Sequence, residues 1–479
     1  MTRRWLLWSG FAVVHILLIW LCLAAPGQPI GDVTGVYLPW VQNATNGGPI
    51  PGVDVSFVYP ILAIVPMLLP LLAGPAWYGF AWLVLVSILN AIAFGVLVGN
   101  GASKHRSAAA WWWLGFLVLL GPIALGRIDS VTVPIAILGL LWAAGRPRRA
   151  TILLTLAAWM KIWPAALVAA LVIALRRRLV VLLTAVATAL AVLVVGFAIG
   201  GSHVLSFVTE QTGRGLQVES PIGNVYLWMA VAGVPGSGVY YDHQILTFQV
   251  SGPAEAAVAS IMTPILAVAV LAIVLIGVLA MRAGRHVVQI LPALALAFVL
   301  TLIVFNKVGS PQFVTWLAAP VILGIVYRGR RFATPALIAL GIAGLTQLFY
   351  PYLYLWLLGE DPAMVTVLTL RNLLYFALLG WAVWSLVVPP RVELVVDPER
   401  PGGHAARAPR VRRGARSESV APGSSAVPSG STSAPPGSST PPSSLVSSPS
   451  AVPSEPSAPS VRTARNPIDP ARPADQNLE

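Results

Sequence analysis

The chain has 479 residues, of which 57% are hydrophobic and 10% charged. Soluble domains carry about 25% charged residues, so this composition leaves too little polar surface to face water and excludes an ordinary soluble fold. The net charge of +13 does not mark a nucleic-acid binder, because the basic residues sit in small clusters between apolar runs rather than on one soluble face. The single cysteine, Cys22, excludes an intrachain disulfide and any cysteine-based metal cluster.

The expected elements are membrane helices, since about 20 helical residues cross a hydrocarbon core. Arg3 and Arg4 precede an apolar run over 5–25, whose length and three tryptophans (Trp5, Trp8, Trp20) predict an uncleaved first helix rather than a signal peptide. Residues 26–56 form a long polar loop. The apolar stretch 57–73 contains Pro60, Pro66 and Pro70 and is read as a re-entrant or interface-lying helix. Spans are expected near 76–99, 108–125, 131–145, 150–160, 164–175, 179–200, 256–281, 287–305, 313–327, 332–350 and 364–388. With the first helix, these predict an all-α polytopic membrane bundle of about 12 transmembrane helices. Lys161 and Pro164 split 150–175 into two pieces of about 12 residues, each about 18 Å long. Broken helices at membrane depth line protein or a wet cavity. Residues 391–479, rich in Ser, Pro and Ala, are expected to be a disordered cytoplasmic tail, so the membrane domain is 1–390.

Charge placement predicts the topology. The basic clusters are Arg3-Arg4, Lys104/Arg106, Arg146/Arg148/Arg149, Arg176–Arg178, Arg282/Arg285 and Arg328/Arg330/Arg331, followed by Arg391. Basic residues stay on the cytoplasmic side during insertion. Threading the helices between them puts every cluster and both termini inside. The acidic residues before 390 then all fall outside: Asp32, Asp54, Asp129, Glu210, Glu219, Asp242, Glu255, Glu360 and Asp361. The long loops 26–56 and 201–255 are outer as well, so the chemistry is expected to face outward.

Several residues suit a reaction there. Asp32, in Gly31-Asp32-Val33, lies just past the first helix, where a carboxylate can take a proton from an attacking hydroxyl; Asp54 is a rival in the same loop. Lys307 sits between one helix and the Gly-Ser-Pro start of the next, an arrangement that suits phosphate. Lys161, in the break of 150–175, and Arg127, expected to pair with Asp129, are further outer cations. Arg371, inside the last apolar run, needs a partner or polar cavity. In the second outer loop, Glu219-Ser-Pro-Ile-Gly-Asn224 reads as a binding turn, whereas Asp242 beside His243 reads equally as a surface pair. His15 and His203 read as structural. No phosphate-binding loop, dinucleotide glycine motif or metal-ligand constellation is present in the sequence, so a nucleotide cofactor is not expected.

Five motifs occur in the order of a known family. They are Gly31-Asp32 with Tyr37; Phe57-Val58-Tyr59-Pro60; Gly126-Arg127-Ile128-Asp129; Lys161-Ile162-Trp163-Pro164; and Asn306-Lys307-Val308-Gly309-Ser310-Pro311-Gln312-Phe313 followed by Trp316-Leu317. The chain thereby resembles glycosyltransferase family 87, the polyprenyl-phosphate-mannose-dependent mannosyltransferases of the C-type (GT-C) membrane fold, over about residues 28–390. Arg127 stands where the family commonly has Gln, and Ile61 where it has a second Pro. The resemblance implies an inverting transfer of a hexose, mannose above all, from a polyprenyl-phosphate donor to a glycolipid or glycan acceptor in the membrane, with no metal, cofactor or nucleic acid. Asp32 would be the base. Lys161, Lys307, Arg127 and Arg371 would hold the phosphate. Tyr37, Tyr59, Asp129, Glu219, Asn224 and Gln312 would complete the substrate site. The alternative reading is a secondary transporter or lipid flippase, although the paired repeats common in transporters are not evident.

Overall fold

Without water to satisfy the backbone, a chain this apolar folds into helices that pair every N–H and C=O internally. The computed structural model describes residues 2–210 and 213–388; the tail expected from 391 lies outside them. The first half comprises α1 (Thr2–Ala24), α2 (Leu38–Thr45), α3 (Ile64–Leu68), α4 (Tyr78–Val98), α5 (Lys104–Leu120), α6 (Asp129–Trp142), α7 (Pro147–Ala158), α8 (Pro164–Ala174) and α9 (Arg178–Ala198). The segment between α9 and α12 carries α10 (Ser206–Thr209), α11 (Gly223–Val231) and an antiparallel hairpin, β1 (Gly238–Asp242) and β2 (Thr247–Ser251), with Tyr240 opposite Gln249. The chain then forms α12 (Glu255–Arg282), α13 (Val287–Val304), α14 (Ala318–Arg328), α15 (Ala333–Phe349), α16 (Tyr354–Leu358) and α17 (Pro362–Val387).

Burial separates the centre from the lipid-facing rim. In α13, 89% of the apolar span is buried, against 17% in α9 and α12. The rim helices instead present Leu183, Leu190, Val194, Val268, Leu271 and Leu275 outward. An apolar surface of that extent fits lipid rather than water.

Two expectations need correction. Among the described residues, eight helical segments are long and apolar enough to cross a membrane. The figure of about 12 counted α14 and α15 as two spans, which lie here in one helical segment of 39 residues, and included α6 and α8, which are shorter apolar helices, and α7, which has 12 residues. The fold is also not wholly α-helical, because the Tyr- and Val-bearing segments 238–242 and 247–251 pair as a hairpin. The stretch 57–73 forms no long helix. Its residues 61–73 form one short helical run that contains α3, with Pro60 just before it and Pro66 and Pro70 inside it, held by Leu62 N donating to Trp159 O at 3.0 Å and Tyr78 Oη donating to Met67 O at 2.7 Å.

Charge is segregated along the bundle. At one end, Arg328 donates to Ser385 Oγ at 3.2 Å, Arg285 donates to Ser385 O at 2.8 Å, and Gly329 packs beneath His105 at the start of α5. The described acidic residues belong to the other end, where α1 finishes and α17 begins.

Candidate active site

Asp32 precedes a π-helical turn, Val33–Tyr37, that runs into α2. Its side chain is 40% exposed, and Oδ2 lies 3.0 Å from Arg127 Nε. Arg127 is buried and fully engaged. Its Nη1 donates to Pro29 O and Gly126 O, both at 2.9 Å, and its Nη2 donates to the Tyr350 hydroxyl. Gly126 is needed for this approach, because a Cβ there would lie 2.6 Å from Pro29 O. Burial opposes the Arg127 charge, but Asp32, Tyr350, Tyr37 and Tyr59 together outweigh it and hold the guanidinium above its ordinary pKa. The expected Arg127–Asp129 pair is therefore replaced by Arg127–Asp32. Residues two apart at a helix start do not face each other.

Asp129 pairs instead with Lys161, at 3.7 Å, and accepts a 2.6 Å hydrogen bond from Trp316 Nε1. Lys161 owes its place to the break between α7 and α8. The α7 helix ends at Ala158, Lys161 N closes a turn onto Ala157 O, and Pro164 opens α8. Trp163 locks that turn by stacking on Trp316 at 5.4 Å and donating to Thr132 Oγ1 at 3.0 Å. Lys161 Nζ then stands 4.6 Å from the Tyr59 ring centroid and 5.9 Å from that of Phe313. Tyr59 packs edge-on against Tyr37, whose hydroxyl accepts from Ile128 N. The motif residues Asp32, Tyr37, Tyr59, Arg127, Asp129 and Lys161 thus form one continuous cluster.

The long loop 201–255 joins through two tyrosines. Tyr350, bound to Arg127, packs against Tyr354, which donates to Glu219 Oε1. Burial raises the Glu219 pKa, and the Tyr354 hydrogen bond and the charges of Arg371 and Arg127 only partly offset it. Arg371 is 1% exposed, lies between the rings of Phe349 and Tyr375, and donates to Glu219 O at 2.7 Å. Its partner is thus a backbone carbonyl, and its contact holds the loop. The Lys307 turn meets the same loop: Gln217 N donates to Lys307 O at 3.0 Å, and Gly309 packs directly on Ser220. Burial lowers the Lys307 pKa, with Glu255 and Arg214 as charged neighbours. Gln312 is buried beside Ser310, which donates to its Oε1. Asn224 turns away to α17, donating to Thr369 Oγ1 at 2.8 Å.

Other candidates stand apart. Asp54 accepts from Ile50 N at 2.8 Å within its own loop. Asp242 organises the hairpin turn through Gln244 N and Gln249 Nε2, and His243 packs on Tyr241. His15 is buried between Phe11 O and Asn90, and His203 contacts Ser202. Tyr350 and Tyr354 escaped the sequence reading, whereas Arg214 is one of the charged residues that the 201–255 loop offers. A tyrosine cluster at 350–354 was its only visible trace, and the partners that give it meaning, Arg127 and Glu219, are far away in the chain. Arg214 lies within electrostatic range of Tyr59, Glu210 and Asp242.

Beside Lys161 opens an apolar groove of about 340 Å³ between α7, α8 and α9, with Trp159, Ile162, Val168, Val186 and Phe207 in its walls. The surroundings thus combine a half-exposed carboxylate, buried cations and an oily cleft. Comparison with known proteins bears on this arrangement. No curated protein matches the chain. The family model of glycosyltransferase family 87 matches residues 57–252, a segment that includes Tyr59, Arg127, Asp129, Lys161, Glu219 and Asn224. The match agrees with the family that the motif order resembles and supports a membrane glycosyltransferase.

Proposed function

We propose that the protein transfers a hexose, mannose by family resemblance, from a polyprenyl-phosphate donor to an acceptor hydroxyl on the outer face, with inversion. The observation that carries this reading is Asp32, accessible on one side and fixed on the other by Arg127 at 3.0 Å. Asp32 takes the proton of the acceptor hydroxyl as that oxygen attacks the anomeric carbon. The bond from that carbon to the phosphate oxygen breaks, and the lipid phosphate leaves with its charge. Lys161 and Lys307 then stabilise the departing phosphate. In this reading Arg127 and Arg371 act one step back: Arg127 orients Asp32, and Arg371 holds the Glu219 loop. The polyprenyl tail occupies the apolar groove beside Lys161, which supports a lipid-linked donor over a soluble one. Tyr37, Tyr59, Asp129, Glu219, Asn224 and Gln312 frame the donor and acceptor or hold the residues that do. The acceptor is a glycolipid or glycan.

The test is transfer from polyprenyl-phosphomannose in isolated membranes. Asp32→Asn should lose on the order of 100-fold or more of the transfer rate, the scale of general-base catalysis, with unchanged amount and melting behaviour. Undiminished transfer by the folded variant removes Asp32 as the base. Lipid or solute movement without a glycosidic product would favour the transporter.

A further inference from the structure

We propose that an arginine-lined pocket, at the end of the bundle remote from Asp32, binds the phosphate headgroup of an anionic phospholipid. The pocket encloses about 310 Å³ between the α6–α7 and α8–α9 turns, lined by Arg146, Pro147, Arg148, Arg149, Arg177 and Val180. Four arginines from two separate turns therefore line one cavity. The ion pairs among the described residues are Arg127–Asp32 and Lys161–Asp129, both at the site end, so no described carboxylate pairs with these four charges. Like charges held together repel, and an anion with several acceptor oxygens relieves that repulsion through bidentate contacts.

The surface beside the pocket identifies the kind of anion. The α7 and α9 helices both start at the pocket, and within two turns of it they carry exposed Ile152, Leu179 and Leu183. A soluble phosphate would use the arginines and leave this apolar face uncovered. A phospholipid covers both, with its headgroup among the guanidinium groups and its acyl chains along α9. This site is independent of the sugar-transfer reading. It lies at the far end of α7 from Lys161, a helix about 18 Å long.

The test uses the full-length chain purified in detergent. Retained lipid is counted by native mass spectrometry, and melting is followed with added cardiolipin, phosphatidylcholine or inorganic phosphate. Wild type should retain and be stabilised by cardiolipin, but not by phosphatidylcholine or phosphate. The triple variant R148Q/R149Q/R177Q should bind cardiolipin on the order of 100-fold more weakly, since each arginine near an anionic lipid contributes about a factor of five. The variant R330Q/R331Q, which removes charge elsewhere at the same end, should bind as wild type. Equal binding by the triple variant, equal losses in both variants, or equal stabilisation by inorganic phosphate would each overturn the site. Should the triple variant fail to insert, R149Q alone carries the test, with an expected loss of about fivefold; full retention there also overturns it.

Discussion

Glu219 is buried, accepts a hydrogen bond from Tyr354 and lends its carbonyl to Arg371. Burial lifts its pKa above the ordinary 4.5. Between that value and the raised folded-state value, the folded chain keeps a proton that the unfolded chain has released. Stability is therefore greatest below about 4.5 and falls as pH rises through the window. Glu219→Gln keeps an acceptor for Tyr354 and has no proton to lose. Its melting temperature should decline less than that of wild type from pH 4.5 upward; parallel curves would show that Glu219 titrates alike in both states. Tyr354 and Tyr350 link this carboxyl to Arg127, so the same variant should perturb transfer less than Asp32→Asn does.

At the scale of elements, the site depends on places where helices stop. The α7–α8 break delivers Lys161, the π turn after Asp32 delivers Tyr37, and the turn between α13 and α14 brings Lys307 onto the Glu219 loop. Gly309 makes that last contact possible. A Cβ there would lie 2.2 Å from Ser220 N and 2.4 Å from Ser220 Cα, and backbone cannot swing aside as a side-chain tip can. Gly309→Ala should cost about 1–3 kcal/mol in unfolding free energy and reduce transfer by displacing Glu219. Unchanged melting and activity would show that the loop gives way freely. Breaks of this kind were legible in the sequence because proline and lysine interrupt apolar runs visibly, as at Lys161-Ile-Trp-Pro164. The helix bounds were legible for the same reason. Pairing was not: Arg127 stands two residues from Asp129 yet binds Asp32, and only the packing of α1 against α5 and the 121–124 turn after it decides between them. The β1–β2 hairpin was hidden too, because its alternation is short and lies inside a loop otherwise read by its charges.

For the whole molecule, segregation of charge is the feature that ties topology to chemistry. The acidic residues and the cations Arg127, Lys161, Arg214 and Lys307 share one end, and the arginine clusters hold the other. Because arginine is retained on the cytoplasmic side during insertion, the Asp32 end should face outward. Two single-cysteine positions test this. Asn46 is exposed beside α2 at the site end, and Gly145 is exposed at the arginine end with open space where a Cβ would go. The native Cys22 is 2% exposed and should give little background. A membrane-impermeant maleimide should label Asn46→Cys in intact cells and Gly145→Cys only after permeabilisation. The proposed site residues all lie before 390, so a chain lacking 400–479 should give the same labelling and retain transfer. The reverse labelling would turn Asp32 to the cytoplasm. A base there would meet nucleotide-linked sugars as readily as lipid-linked ones, and the argument for a polyprenyl-phosphate donor would then rest on the groove beside Lys161 alone.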